Sequence, residues 1–165
     1  MIVVSDSTPL ITLMKTERLE VLQALFGRVL IPETVFLELT SNDAYETEAE
    51  LIRTSTFIKM VTVENPDYVT LLQRATGLDR GESEAIVYAD ENQADILLMD
   101  EEAGRRVARN MNIPITGSIG ILIKAFQNGL LTAVEVEESL CRIEESGRYI
   151  SSSLLQSVRQ MIYEV

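Results

Sequence analysis

Ile96-Leu97-Leu98-Met99-Asp100-Glu101 is an unbroken apolar run that stops at two carboxylates. A strand with one wet face alternates apolar and polar residues, so a continuous run suits a strand covered on both faces, as in the parallel sheets of α/β proteins. A carboxylate where such a strand ends faces the crevice in which open parallel sheets bind ligands. The same grammar opens the chain. Ile2 to Ser5 form a short β-branched run that ends at Asp6, and Ser7-Thr8-Pro9 turn into a helix.

Between these runs, Glu17 to Phe26 places Leu19, Leu22 and Phe26 on one helical face, with Gly27 as a stop and Val29 to Ile31 as a second strand. Pro32 opens a helix whose apolar face is Val35, Phe36 and Leu39, and Glu38 projects at its edge. The spacing predicts a helix over Tyr45 to Arg53, a strand over Phe57 to Val63 and a helix over Asp67 to Ala75. Asp79 and Glu82 have the spacing of a capping box at the start of the helix that carries Glu84. After Asp100 a helix runs through Ala103 and Val107, Ile113 to Ile115 forms the last strand, and Thr116-Gly117-Ser118 leads into a helix ending near Gly129. Thr132 and Glu135 box a helix reaching Glu145, and Gly147 separates it from a last helix over Leu154 to Ile162.

Strands that alternate with helices are joined by crossovers, which makes sheet neighbours parallel. The expected fold is one α/β domain over residues 1–165. A mainly parallel sheet of about five strands lies between helical layers, with a helical C-terminal extension from about residue 130.

At 46% apolar over 165 residues the chain can bury one substantial core. Its apolar stretches fall far short of the roughly 20 residues of a membrane span. The start MIVVSDSTPLI lacks the basic n-region of a secretory signal, so export is not expected. Cys141, the one cysteine, lies on an apolar helical stripe; it reads as a packing residue in a reducing, cytoplasmic compartment. A net charge of −12 argues against nonspecific adhesion to phosphate backbones. Part of the acidity, at Glu137, Glu138, Glu144 and Glu145, reads as a solvated helix face.

The chain has no histidine, which excludes Ser-His-Asp and Cys-His nucleophile systems, and one cysteine cannot complete a structural zinc site. Carboxylates favour Mg²⁺ or Mn²⁺. Asp6, Glu38, Glu84 and Asp100 are the candidates, distant in sequence yet each near a strand end or the start of a helix. A divalent ion held by such oxygens polarises a phosphoryl group and activates water without a histidine. Each candidate also has a plain structural reading. Asp6 and Asp100 suit helix caps, Glu38 a solvated position, Glu82 a capping-box acid and Glu101 a complement to a helix dipole. Arg105 and Arg106 suit surface ion pairs, and Thr116 and Ser118 suit caps. Tyr45, Tyr68 and Tyr88 could stack on bases, though at 5% aromatic content packing is the simpler role.

In their order along the chain, Val3-Val4-Ser5-Asp6-Ser7 with Leu10-Ile11, Val35-Phe36-Leu37-Glu38-Leu39, Gly81-Glu82-Ser83-Glu84-Ala85-Ile86 and Leu97-Leu98-Met99-Asp100-Glu101 resemble the PIN-domain family of metal-dependent ribonucleases. One branch of that family carries a Gly-Glu-x-Glu-Ala segment followed by pieces matching Gly104-Arg105-Arg106 and Thr116-Gly117-Ser118. The resemblance runs over about the first three quarters of the chain, and Gly147 to Ile162 is similar to that branch's helical tail.

The resemblance implies a three-layer α/β/α fold, Mg²⁺ or Mn²⁺ as cofactor and hydrolysis of single-stranded RNA. It further implies a toxin role opposed by an antitoxin protein, and a homodimer. By position Asp6, Glu38 and Asp100 match family metal ligands or their supports. Glu84-Ala85-Ile86 resembles an Asp-Ala-x-Ile segment that supplies another, with Glu here for the usual Asp. Glu82 and Glu101 belong to the branch pattern. Ser7 and Thr116 are suited to hydrogen-bond a ligand, water or phosphate, and Arg105 and Arg106 to contact phosphate. The alternative is a catalytically degenerate PIN-like protein that acts through protein partners, a reading motivated by the acidic surface and by Glu84. An aspartyl-phosphate phosphatase of the haloacid-dehalogenase type would carry a second Asp where Thr8 stands, and no GxGxxG follows the first strand for a dinucleotide fold.

Overall fold

In the computed structural model, which describes residues 1–164, strand β1 (Val3–Ser5) lies between β2 (Val29–Pro32) and β4 (Ile96–Leu98). Strand β3 (Ile58–Val61) extends the sheet beyond β2, and β5 (Ile115–Thr116) extends it beyond β4. The order is β3-β2-β1-β4-β5 and every pairing is parallel. The register aligns Val3 with Ile96, Val4 with Leu97 and Ser5 with Leu98. The chain builds outward from β1 to β3, then returns to add β4 and β5 on the other side. The direction of winding therefore reverses between β1 and β4, and a crevice opens there at the carboxyl ends of the strands.

The helices are α1 (Ser7–Lys15), α2 (Val21–Phe26), α3 (Glu33–Thr40), α4 (Glu46–Thr54), α5 (Pro66–Thr76), α6 (Arg80–Glu91), α7 (Glu102–Asn110), α8 (Ser118–Gln127), α9 (Ala133–Glu145) and α10 (Ser152–Tyr163). A 3₁₀ turn over Asp43–Tyr45 precedes α4. The β4 run explains why helices lie on both faces. Leu98 joins Val3, Val29 and Ile31 in a cluster closed by Leu10, Leu22, Leu122 and Leu140. Leu97 and Met99 point the other way and join Val4 under Ala85 and Ile86 of α6 and Ala108 of α7. Leu97, Leu98 and Met99 are fully buried, and each such side chain contributes about 1.5–3 kcal/mol. The result is the three-layer α/β/α sandwich, with a sheet that is wholly parallel.

The capping boxes form at Asp79–Glu82 and Thr132–Glu135, as their spacing predicts. Three expectations are corrected. Helix α2 starts only at Val21, because Glu17 adopts φ 58 and breaks the run. The last strand forms at Ile115–Thr116 rather than from Ile113, since Pro114 offers only its carbonyl, which accepts from Leu97 N at 2.8 Å. Cys141 is exposed and does not pack in the core. The buried stripe of α9 is Val136, Leu140 and Ile143, and Cys141 lies about 100° around the helix from Leu140. Among the described residues no helix is long and apolar enough to cross a membrane.

Candidate active site

Asp6 sits where β1 ends, and its backbone N–H donates to Leu98 O at 3.0 Å, which ties it to β4 at the winding reversal. The residue occupies the N-cap of α1 with φ −77 and ψ 172, but its side chain makes no capping hydrogen bond. It is 2% exposed, and among the described residues Oδ1 has no hydrogen-bond partner. An unsatisfied buried acceptor costs ~1–3 kcal/mol, more when charged. Burial pushes the Asp6 carboxyl up to about 7; nearby Asp79, Glu38 and Glu101 push the same way, against the Ser7 backbone N–H.

Glu38 reaches the same crevice from α3. Its carboxylate lies against the first turn of α6 at Gly81, where an added Cβ would stand 2.5 Å from Oε1. Partial burial raises its pKa, with the charges of Asp79, Glu84 and Glu101 adding and the Ser7 hydroxyl opposing. Glu82 completes the α6 capping box: Asp79 N donates to Glu82 Oε2 at 3.1 Å, and Glu82 N donates to Asp79 Oδ1 at 2.8 Å. The same buried carboxyl is also within hydrogen-bonding reach of Glu101. Burial first, and the contact with Glu101 second, push Glu82 to about 7. Glu101, at the entry to α7, also accepts from Thr8 Oγ1 at 3.4 Å. Capping and membership of the cluster are therefore compatible roles for Glu82.

The other two candidates have partners of their own. Glu84 accepts from Thr34 N at 3.2 Å and Thr34 Oγ1 at 2.5 Å, and pairs with Arg80 Nε at 3.0 Å. It fastens α6 to the start of α3. Asp100 Oδ1 accepts from Ser118 N at 2.7 Å and Ser118 Oγ at 3.1 Å, so it caps α8 rather than α7. Neither Thr116 nor Ser118 provides that cap. Gly117 makes the approach possible, since a Cβ there would lie 2.6 Å from Asp100 Oδ1. Asp100 Oδ2 pairs with Arg148 at 3.0 Å, and Arg148 also donates to Thr12 Oγ1. Arg105 donates to Met99 O at 2.9 Å beside this cap, and Arg106 points to solvent.

The structure thus brings Asp6, Glu38, Glu82 and Glu101 into mutual influence, with Asp79 at the rim, and gives Glu84 and Asp100 basic partners. Sequence reasoning missed Arg148, Arg80 and Thr34. For Arg80 the signal was the i,i+4 spacing to Glu84; Arg148 follows a helix-breaking glycine and carries no motif.

Among the described residues no three acidic or sulfur side chains stand close enough together to hold a metal ion as they are. The donor set still suits a hard dication: it is all oxygen, Asp6 Oδ1 is orphaned, and neighbouring negative charges oppose ionisation at Asp6, Glu38 and Glu82. A cation here requires the exposed Glu38 and Glu101 side chains to close in on Asp6.

No curated protein matches the chain. A family model described as PIN domain matches residues 2–164. That match spans all but the chain ends, and it agrees with the parallel sheet and the acidic groups at its winding reversal. The chain belongs to the PIN-domain family, whose members are generally nucleases.

Proposed function

We propose that the protein is a Mg²⁺- or Mn²⁺-dependent endoribonuclease that hydrolyses single-stranded RNA at the Asp6–Glu38–Glu82–Glu101 cluster. The observation that carries the reading is the buried, unpartnered Asp6 Oδ1 at the sheet's winding reversal, faced by further carboxyls. Asp6 and Glu38 would hold the ion, with Glu82 and Glu101 completing or supporting its shell. When bound, such an ion polarises a phosphoryl oxygen and lowers the pKa of an attacking water. The chain's own groups supply the rest. Glu82, whose carboxyl is pushed to about 7 first by burial, lies beside Glu101 and is suited to give or take a proton next to the ion-holding carboxylates. Ser7, Thr116 and Arg105 border the cluster and Asp100 with donors suited to a phosphate.

The family resemblance extends the reading to a cytoplasmic toxin that forms a homodimer and is held by an antitoxin protein. Incubation of single-stranded RNA with the protein and Mn²⁺, against the Asp6→Asn variant, tests the enzyme. Cleavage that depends on metal and disappears in Asp6→Asn supports it; equal cleavage by the variant removes Asp6 from the mechanism.

A second reading, a degenerate binding protein, is favoured by the ion pairs at Glu84 and Asp100 and by the lack of a ready-made set of three ligands among the described residues. Calorimetry separates the two. A titration with Mn²⁺ that gives no heat, together with no cleavage, selects the binding protein.

A further inference from the structure

Two cavities flank the acidic cluster. The first, of about 240 Å³, lies between α1, α3 and the turn before α4, with Glu38 in its wall. Ile11, Met14 and Leu39 give it an apolar floor, and Lys15 and Tyr45 stand at its sides. The second, of about 450 Å³, opens beyond β5 with Asp100 in its wall, together with Arg105, Thr116, Arg148 and Tyr149. Both cavities thus touch the carboxylate edge of the sheet, from opposite ends.

Their walls share two features, although the first also carries Glu48 beside Glu38. Each has an exposed tyrosine, Tyr45 at 54% and Tyr149 at 88%. Each also has a cation, Lys15 or Arg105, with no carboxylate at ion-pair distance among the described residues. Arg53, Arg109 and Arg159, by contrast, are each engaged by a nearby glutamate. Of the second cavity's acids, Asp100 is neutralised by Arg148 and Glu102 by Arg109.

We propose that the two cavities are nucleotide subsites on either side of the attacked phosphate, so that an unpaired RNA strand lies across the sheet edge from Tyr45 to Tyr149. The inference rests on the nuclease reading. An aromatic face stacks any base, and a neighbouring cation matches the phosphate that accompanies it. Between the cavities the wall is carboxylate, which repels a phosphate backbone, so affinity for the strand has to come from the two ends. Duplex RNA cannot splay its bases onto either tyrosine.

The test measures binding of a short, mixed-sequence single-stranded RNA, and of the same RNA annealed to its complement, in an Asp6→Asn background that leaves the probe intact. KM for cleavage is measured in the otherwise native protein. Tyr45→Ala and Tyr149→Ala should each weaken single-strand binding about tenfold, raise KM more than they lower kcat, and erase part of the preference over duplex. Tyr→Phe at either site should restore binding. Single-strand affinity and KM unchanged in the Tyr45→Ala/Tyr149→Ala double variant of a protein that cleaves RNA overturn the subsites alone, and leave both cavities to a protein partner. A native protein that neither binds nor cleaves the RNA overturns the subsites and the nuclease reading together.

Discussion

The Glu38 carboxylate rests on the backbone of Gly81, so close that a single methyl group there would meet Oε1 at 2.5 Å. The atom in the way is the end of a flexible side chain, so Gly81→Ala should move Glu38 rather than unfold the protein. Alanine also favours the helix over glycine by up to about 1 kcal/mol. The expected variant melts at or slightly above the parent temperature but loses at least tenfold in metal-dependent RNA cleavage. Thermal melts and cleavage rates measured on the same preparation decide it. Full activity in Gly81→Ala would show that the placement of Glu38 is irrelevant to the chemistry.

Proton linkage gives the metal-free protein an unusual pH profile. In the folded state Asp6 is pushed from 3.8 to about 7 and Glu82 from 4.5 to about 7, both first by burial. Between those values the folded protein holds protons that the unfolded chain has released. Stability therefore falls as pH rises from about 4 to about 7, and levels off above. For buried Asp6 alone the loss is on the order of a few kcal/mol. Glu102 and Glu135, whose pKa values are lowered by Arg109 and by the Thr132 backbone N–H, act in the opposite sense only below their ordinary value of 4.5. Melts in chelator from pH 5 to pH 8 should thus show a falling Tm, and Mn²⁺ should restore it most at pH 8. A Tm that climbs over this range in chelator would contradict the packing of Asp6 and Glu82.

The sheet could be read from sequence because β4 and β1 are short, apolar and punctuated by acids, and because Leu97, Leu98 and Met99 alternate into two separate cores. The parallel order followed from the helices between strands. The site was legible only to the level of which segments meet. Which carboxylate of a pair faces the crevice depends on side-chain direction. Glu82 and Glu84 are two residues apart, so they diverge by about 200° around α6, and only three-dimensional packing shows that Thr34 and Arg80 take Glu84. Asp100 and Glu101 diverge in the same way at the end of β4. The pairing of Asp100 with Arg148 spans 48 residues and depends on where the C-terminal helices dock.

That divergence can be measured at α6. Glu82→Gln removes an ionisable carboxyl from the cluster beside Glu101, so cleavage should fall tenfold or more while stability at pH 8 holds or rises. Glu84→Gln leaves Arg80 without its carboxylate and presents an amide to Thr34, at a cost of about 1–2 kcal/mol. Cleavage per folded molecule should stay close to the parent. Chemical denaturation run beside a cleavage assay reads both variants, and the reverse pattern would make Glu84 the helix ligand.

Arg148 joins the segment after α9 to both α1 and the end of β4, through Thr12 and Asp100. The Asp100 side chain is 6% exposed and that of Arg148 35% exposed, so the pair is only partly screened by water. Arg148→Ala leaves Asp100 buried with Ser118 as its remaining partner, and should cost about 1–3 kcal/mol, below the full range for a deeply buried pair. The double variant Arg148→Ala/Asp100→Asn no longer contains the orphaned charge, and Asn can still accept from Ser118 N. It should be less destabilised than the sum of the two single variants. Denaturant midpoints for the four proteins of this cycle give the coupling directly. If the costs simply add, the ion pair contributes nothing beyond its parts, and the C-terminal helices are held to the sheet edge by apolar packing alone.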